Sequence, residues 1–123
     1  MTKKEILNTW FKMWILNKPE GIETLFNEDA IYFESVGTHY VGMPEIKRWF
    51  QEWNKNNRVK NWDVIEYEEI GEHVYLEWYF KMQNKDGKVI DFNGISKAEF
   101  VNGKIQELRE FISKIPNKDP FAN

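Results

Sequence analysis

Phe100-Val101-Asn102-Gly103-Lys104-Ile105 joins two long alternating runs through the dipeptide that most strongly favours a two-residue type I′ hairpin. Both central positions of such a turn need positive φ, which Asn and Gly tolerate at least cost. The runs on either side, residues 88–101 and 104–114, therefore read as paired antiparallel strands, the second closed by Pro116. Working back along the chain, Asn84-Lys85-Asp86-Gly87 and Gly71-Glu72 mark two more turns. They separate strand-like runs at 73–83 and 59–70. All four runs exceed the usual five or six residues, and such strands curl rather than lie flat. Gly94, inside the third, is where a bulge or kink is expected.

The first half of the chain has a different period. Thr2 and Glu5 form a T-x-x-E capping box, and Ile6, Trp10, Met13 and Trp14 follow with helical spacing. Pro19 stops that helix near Lys18 and opens a second, short one whose buried stripe is Ile22, Leu25 and Phe26. Residues 30–34 read as a short strand, and 38–41 as a second extended piece after Gly37. Met43-Pro44-Glu45 starts a third helix with Ile46, Trp49, Phe50 and Trp53 at i, i+3, i+4, i+7. Helices first and hairpins afterwards define an α+β fold, three helices packed on the concave face of a strongly curved antiparallel sheet and enclosing a pocket. Residues 1–115 form the single domain expected, and 116–123 a poorly ordered tail.

Composition narrows the functional classes. A chain of 123 residues buries enough surface for a core without metal or disulfide help. There is no cysteine, so no thiolate nucleophile or zinc ribbon, and a reducing, cytoplasmic setting fits. Polar residues interrupt the start before a signal peptide could form, and no run approaches a membrane span. Net charge is −3 with signs interspersed, which argues against a nucleic-acid partner. His39 and His73 are far apart and make no metal set, so neither metal nor cofactor is expected. Aromatics reach 16% with six tryptophans, more than a small core needs. Trp10, Trp14, Tyr32, Trp49, Trp53 and Phe92 are the expected lining of a cavity for a small apolar molecule. Surplus rings on the outer sheet face, Trp62, Trp78 or Tyr79, are assigned to a homodimer interface.

The stretch Phe26-Asn27-Glu28-Asp29-Ala30-Ile31-Tyr32-Phe33-Glu34, followed by Tyr40-Val41-Gly42 and Ile46, resembles the nuclear transport factor 2-like superfamily, in particular its SnoaL-like branch with ketosteroid isomerase relatives. The Phe100 to Ile105 hairpin adds to the likeness, which spans nearly the whole chain. It implies a cone-shaped fold but no single activity, because the superfamily includes isomerases, cyclases, hydrolases and non-catalytic binders.

The same resemblance places Glu34 where isomerase-like members carry their catalytic carboxylate. A carboxyl on the wall of an apolar cavity is pushed up in pKa and becomes a usable base. The isomerases' oxyanion donors, a helix tyrosine and a protonated aspartic acid, correspond here to Trp10 or Phe11 and to Ser96. Neither is the family's residue, which argues against steroid isomerisation. Glu110 is a possible second carboxyl, read by preference as a rim residue or a partner of Lys97. His39, in the loop after Glu34, is a further acid/base candidate of the kind dehydratase-like members use. Two readings follow: a small-molecule-binding domain, or a SnoaL-like enzyme with Glu34 as general base.

Overall fold

The Thr2 hydroxyl accepts from the Glu5 amide at 3.1 Å while the Glu5 carboxylate accepts from the Thr2 amide at 2.8 Å, so the capping box starts helix α1 (Lys3–Leu16) as its spacing requires. The structure, a computed structural model, describes residues 1–122. Ile6, Leu7, Trp10, Phe11, Met13 and Trp14 form the buried stripe of α1. Asn17 ends it in the left-handed region at φ 53°. Helix α2 (Ile22–Leu25) begins three residues beyond Pro19, after Gly21 at φ 99°. Phe26 is not part of its stripe: it opens strand β1 (Phe26–Phe33), four residues earlier than the sequence pattern indicates. Strand β2 (His39–Val41) turns back on β1, and helix α3 (Met43–Asn56) follows with proline in its first turn.

Strands β3 (Asn57–Ile70), β4 (His73–Asn84), β5 (Val89–Val101) and β6 (Lys104–Ser113) make successive hairpins. Asn102 and Gly103 both have positive φ, as a type I′ turn demands. The sheet order is β2-β1-β6-β5-β4-β3, with β1 parallel to β6 and every other pairing antiparallel. The sheet is curved and does not close on itself. Residues 114–122 carry no helix or strand, and Asn123, the end of the expected tail, lies outside the described residues. Among the described residues no helix is long and apolar enough to cross a membrane.

Bulges decide which side chains reach the core. In β3 the register slips between Val59 and Asn61 and again between Val64 and Glu66. The first slip puts Val59 and Trp62 on one face, although strict alternation would separate them. In β6 the register slips opposite Glu99 and Phe100, so Ile105 and Leu108 are both buried and the inward parity becomes 108, 110, 112. Trp62 through that slip, and Trp78 through the plain alternation of β4, are buried in the core at 7% and 1% exposure, not displayed on the outer face as expected from the sequence. On β4, Trp78 shares its parity with Val74, Leu76 and Phe80, all buried. Gly94 marks no bulge. It sits in regular pairing opposite Trp78, and an added Cβ would lie 2.4 Å from that indole and 2.6 Å from the Phe111 carbonyl oxygen. The ring needs the space.

Candidate functional site

A cavity of about 200 Å³ opens between α1, α3 and the concave sheet. Trp14 comes from α1, Trp49 and Trp53 from α3, Trp62 from β3, and Trp78, Phe80 and Met82 from β4. Phe92 on β5 and Ile112 on β6 complete the apolar wall, and Ser35 and Val36 stand at the loop after β1. Five of the six tryptophans therefore face this space. The rings brace one another: Trp14 lies 4.8 Å from Trp49, 4.5 Å from Phe50 and 5.3 Å from Trp53, centroid to centroid. The indole N–H groups of Trp14 and Trp62 are buried without an acceptor.

Two carboxyls interrupt the apolar lining. Glu34 directly follows β1, where its amide donates to the Thr38 carbonyl at 2.8 Å and Gly37 closes the turn. Its carboxylate accepts from the Tyr40 hydroxyl at 2.6 Å. Tyr40 sits opposite Tyr32 in the β1–β2 pairing and stacks on Trp49 at 4.6 Å and 12°. Burial raises the Glu34 pKa and the Tyr40 hydrogen bond partly opposes that shift.

Glu110 reaches the cavity from β6 because of the bulge. It accepts a short hydrogen bond from the Tyr32 hydroxyl, which in turn accepts from the Trp10 indole at 3.3 Å. Burial pushes the Glu110 pKa up to about 8; the Tyr32 hydrogen bond pulls it down and the nearby Glu34 charge adds to the rise. At neutral pH Glu110 thus carries its proton. Tyr32 is fully buried and its own pKa is driven well up, by burial first and then by the Glu110 charge.

The residues singled out in the sequence divide by position. Trp14, Trp49, Trp53, Phe92, Glu34 and Glu110 line the cavity. Tyr32 and Trp10 stand one layer behind as a hydrogen-bonded relay to Glu110. Ser96 is buried and accepts from the Trp78 indole at 2.9 Å, holding the wall and not meeting the space. His39 is exposed on β2, its ring 5.6 Å from Phe33, and is not among the lining residues. The preference for Glu110 as a rim residue or Lys97 partner is overturned: Lys97 pairs in register with Arg109, and Glu110 with Ser96 on the inner face.

Sequence reasoning missed Tyr40 as the partner of Glu34, and Trp62, Trp78 and Phe80 as cavity walls. For β4 a signal existed, since 74, 76, 78, 80 and 82 are uniformly apolar. For β3 the bulges erase it.

The profile of the SnoaL-like domain matches residues 7–108. The chain belongs to the SnoaL-like family. No curated protein matches it. Among solved structures, it is similar to a protein from Catenulispora acidiphila with a ketosteroid isomerase-like fold in complex with trimethylamine, at TM-score 0.77 and 19% identity, covering 90% of this chain and 86% of that one. It also resembles a candidate SnoaL-like polyketide cyclase from Mesorhizobium loti, at TM-score 0.72 and 22% identity over 90% and 99% of the two chains. A candidate isomerase from Bacillus subtilis aligns at TM-score 0.80 and 14% identity over 92% and 90%. At these identities the likeness speaks for the fold.

Proposed function

We propose that this protein binds a small molecule with an apolar body in the tryptophan-lined cavity and presents it to the carboxyls of Glu34 and Glu110. The observation that carries the reading is the conjunction of five indoles and two carboxyls around one space of about 200 Å³. Sites for small ligands have this composition, mostly aromatic with few polar groups that fix orientation. The volume is below the roughly 300–1,000 Å³ of drug-sized sites, which favours a small ligand over a multi-ring polyketide. The Catenulispora protein, which holds trimethylamine on the same fold, supports a ligand of that scale. Native mass spectrometry of protein taken gently from cell extract should show a mass increment that is lost on acid unfolding. An unliganded mass, together with no tryptophan quenching across a panel of small apolar compounds, would remove the proposal.

A second reading is favoured by the difference between the two carboxyls. Pairs of titratable groups held in different states are how one site supplies both a base and an acid. Glu34 as carboxylate would take a proton from carbon beside a carbonyl, the electron pair moving to oxygen. The protonated Glu110, backed by Tyr32 and Trp10, would donate a hydrogen bond to that developing oxyanion. The proton then returns from Glu34 to another carbon. Deuterium wash-in to small ketones tests this: exchange that Glu34→Gln abolishes supports it, and no exchange discards it.

The homodimer also remains a proposal, now with different residues. The outer face of the sheet places exposed Ile95 and Phe111 directly opposite each other on β5 and β6, with Tyr79 on β4 nearby. Such an apolar cross-strand pair on an open face fits an isologous contact.

A further inference from the structure

No lysine, arginine or histidine is among the residues lining the cavity, yet two carboxyls open into it. We infer that the cavity takes a small alkylated organic cation, a tertiary or quaternary amine held among the indoles with the Glu34 carboxylate as its counter-charge and Glu110 as a second one once its proton leaves. The inference rests on reading the cavity as a ligand site and adds the chemical class of the ligand.

Four alternatives are separated by the geometry. An anion would face two carboxyls and no cationic side chain, so it is repelled. A hard metal ion needs six or so oxygen ligands, whereas the rest of this wall is carbon and indole. Among the described residues no group of three His, Cys, Asp or Glu could hold one. A neutral apolar molecule would fill the space but strip water from the carboxyls without replacing it, which is unfavourable for any ionised group. A bare ammonium ion would lose its hydration to apolar walls. An alkylated amine satisfies both parts of the lining. Its methyl groups pack on Trp49, Trp53, Trp14 and Trp62, its charge is attracted by the ring faces, and indole is the strongest aromatic partner for that contact. The two glutamates otherwise have only hydroxyl partners, Tyr40 for Glu34 and Tyr32 for Glu110, and a hydroxyl leaves the charge of an ionised carboxyl uncompensated.

The pH response follows from the groups facing the site. Glu34 after β1 and Glu110 on β6 line it, with Tyr40 on β2 and Tyr32 on β1 behind them as their hydrogen-bond donors; the lining residues from α1, α3, β3, β4 and β5 do not titrate. The tyrosines stay neutral, so binding of a cation tightens as Glu110 loses its proton.

The test uses choline and 3,3-dimethylbutan-1-ol, which share a shape and differ in charge, titrated against tryptophan fluorescence. Choline should bind at least about tenfold tighter than the alcohol. Its affinity should rise between about pH 6 and about pH 9 while that of the alcohol stays level. Glu34→Gln combined with Glu110→Gln, checked for an intact melting transition, should weaken choline by about tenfold or more and leave the alcohol unchanged. If the variant does not fold, the pH series on the unaltered protein decides alone. Equal or tighter binding of the alcohol would overturn the cation inference and leave the cavity as a site for neutral ligands. Failure of both probes to bind at tens of millimolar would overturn the cation inference and the ligand reading together.

Discussion

At the scale of single residues, Glu110 links protonation to folding within the ordinary pH range. Burial raises its carboxyl from the ordinary 4.5 to about 8 on folding, so the folded chain holds a proton that the unfolded chain releases. Across that interval the folded state binds more protons, and stability therefore falls as pH rises. The stability of this group is complete below about 4.5 and lost by about 8, on the order of a few kcal/mol. Glu34 is shifted in the same direction by burial and adds to the slope. Glu110→Gln preserves an acceptor for Tyr32 and removes the titration. We expect its melting temperature to exceed that of the unaltered protein above about pH 8, with a flatter pH profile between. An unchanged profile in the variant would show that the Glu110 carboxyl is solvated. Glu34→Gln should likewise keep the fold, be neutral or slightly stabilising at neutral pH, and abolish any proton transfer.

At the scale of elements, the sheet positions the site through two devices. One is the pair of bulges in β3 and the slip at the start of β6, which bring Trp62 and Glu110 inward. The other is Gly94, which clears room for the Trp78 indole that Ser96 holds by its hydroxyl. Gly94→Ala should be destabilising by roughly 1–3 kcal/mol or more, because the methyl meets both a buried ring and a backbone carbonyl oxygen. Urea unfolding measures it. A neutral outcome would mean that the Trp78 ring has space to withdraw, and the wall of the cavity would be softer than its packing implies.

For the whole molecule, the curved sheet divides function between its faces. The concave face carries the helices, the indoles and the carboxyls; the outer face carries charged residues around Ile95 and Phe111. If that outer pair is an interface, sedimentation at micromolar concentration should give twice 14.9 kDa, and Phe111→Lys should shift it to the monomer. A monomer from the unaltered chain would discard the dimer. Exhaustive chelation should leave the melting temperature unchanged, since the described residues offer no group of three metal-ligating side chains. A fall of several degrees would reveal a metal site.

The local signals of the sequence determined the elements. A capping box, a proline after the first helix, another in the first turn of the third and a third after the last strand, and turns at 71–72, 84–87 and 102–103 are short-range devices whose outcome depends on neighbours in the chain. With alternation and helical spacing they determined the α+β architecture, and the motif around Phe26 to Glu34 led to the right superfamily. The helical wall of the cavity was legible in the same way, because Trp14, Trp49 and Trp53 lie on helical stripes whose direction is fixed by period. The rest was decided by tertiary structure. Which face a strand residue takes depends on register, and a one-residue slip reverses every side chain beyond it. Alternation counted from buried Ile105 would turn Glu110 outward; the bulge after it turns Glu110 in, toward Tyr32. Tyr40 meets Glu34 only because β2 folds back on β1. The paired carboxyls exist because strands distant in sequence close around one space, and the water they exclude is what raises both pKa values.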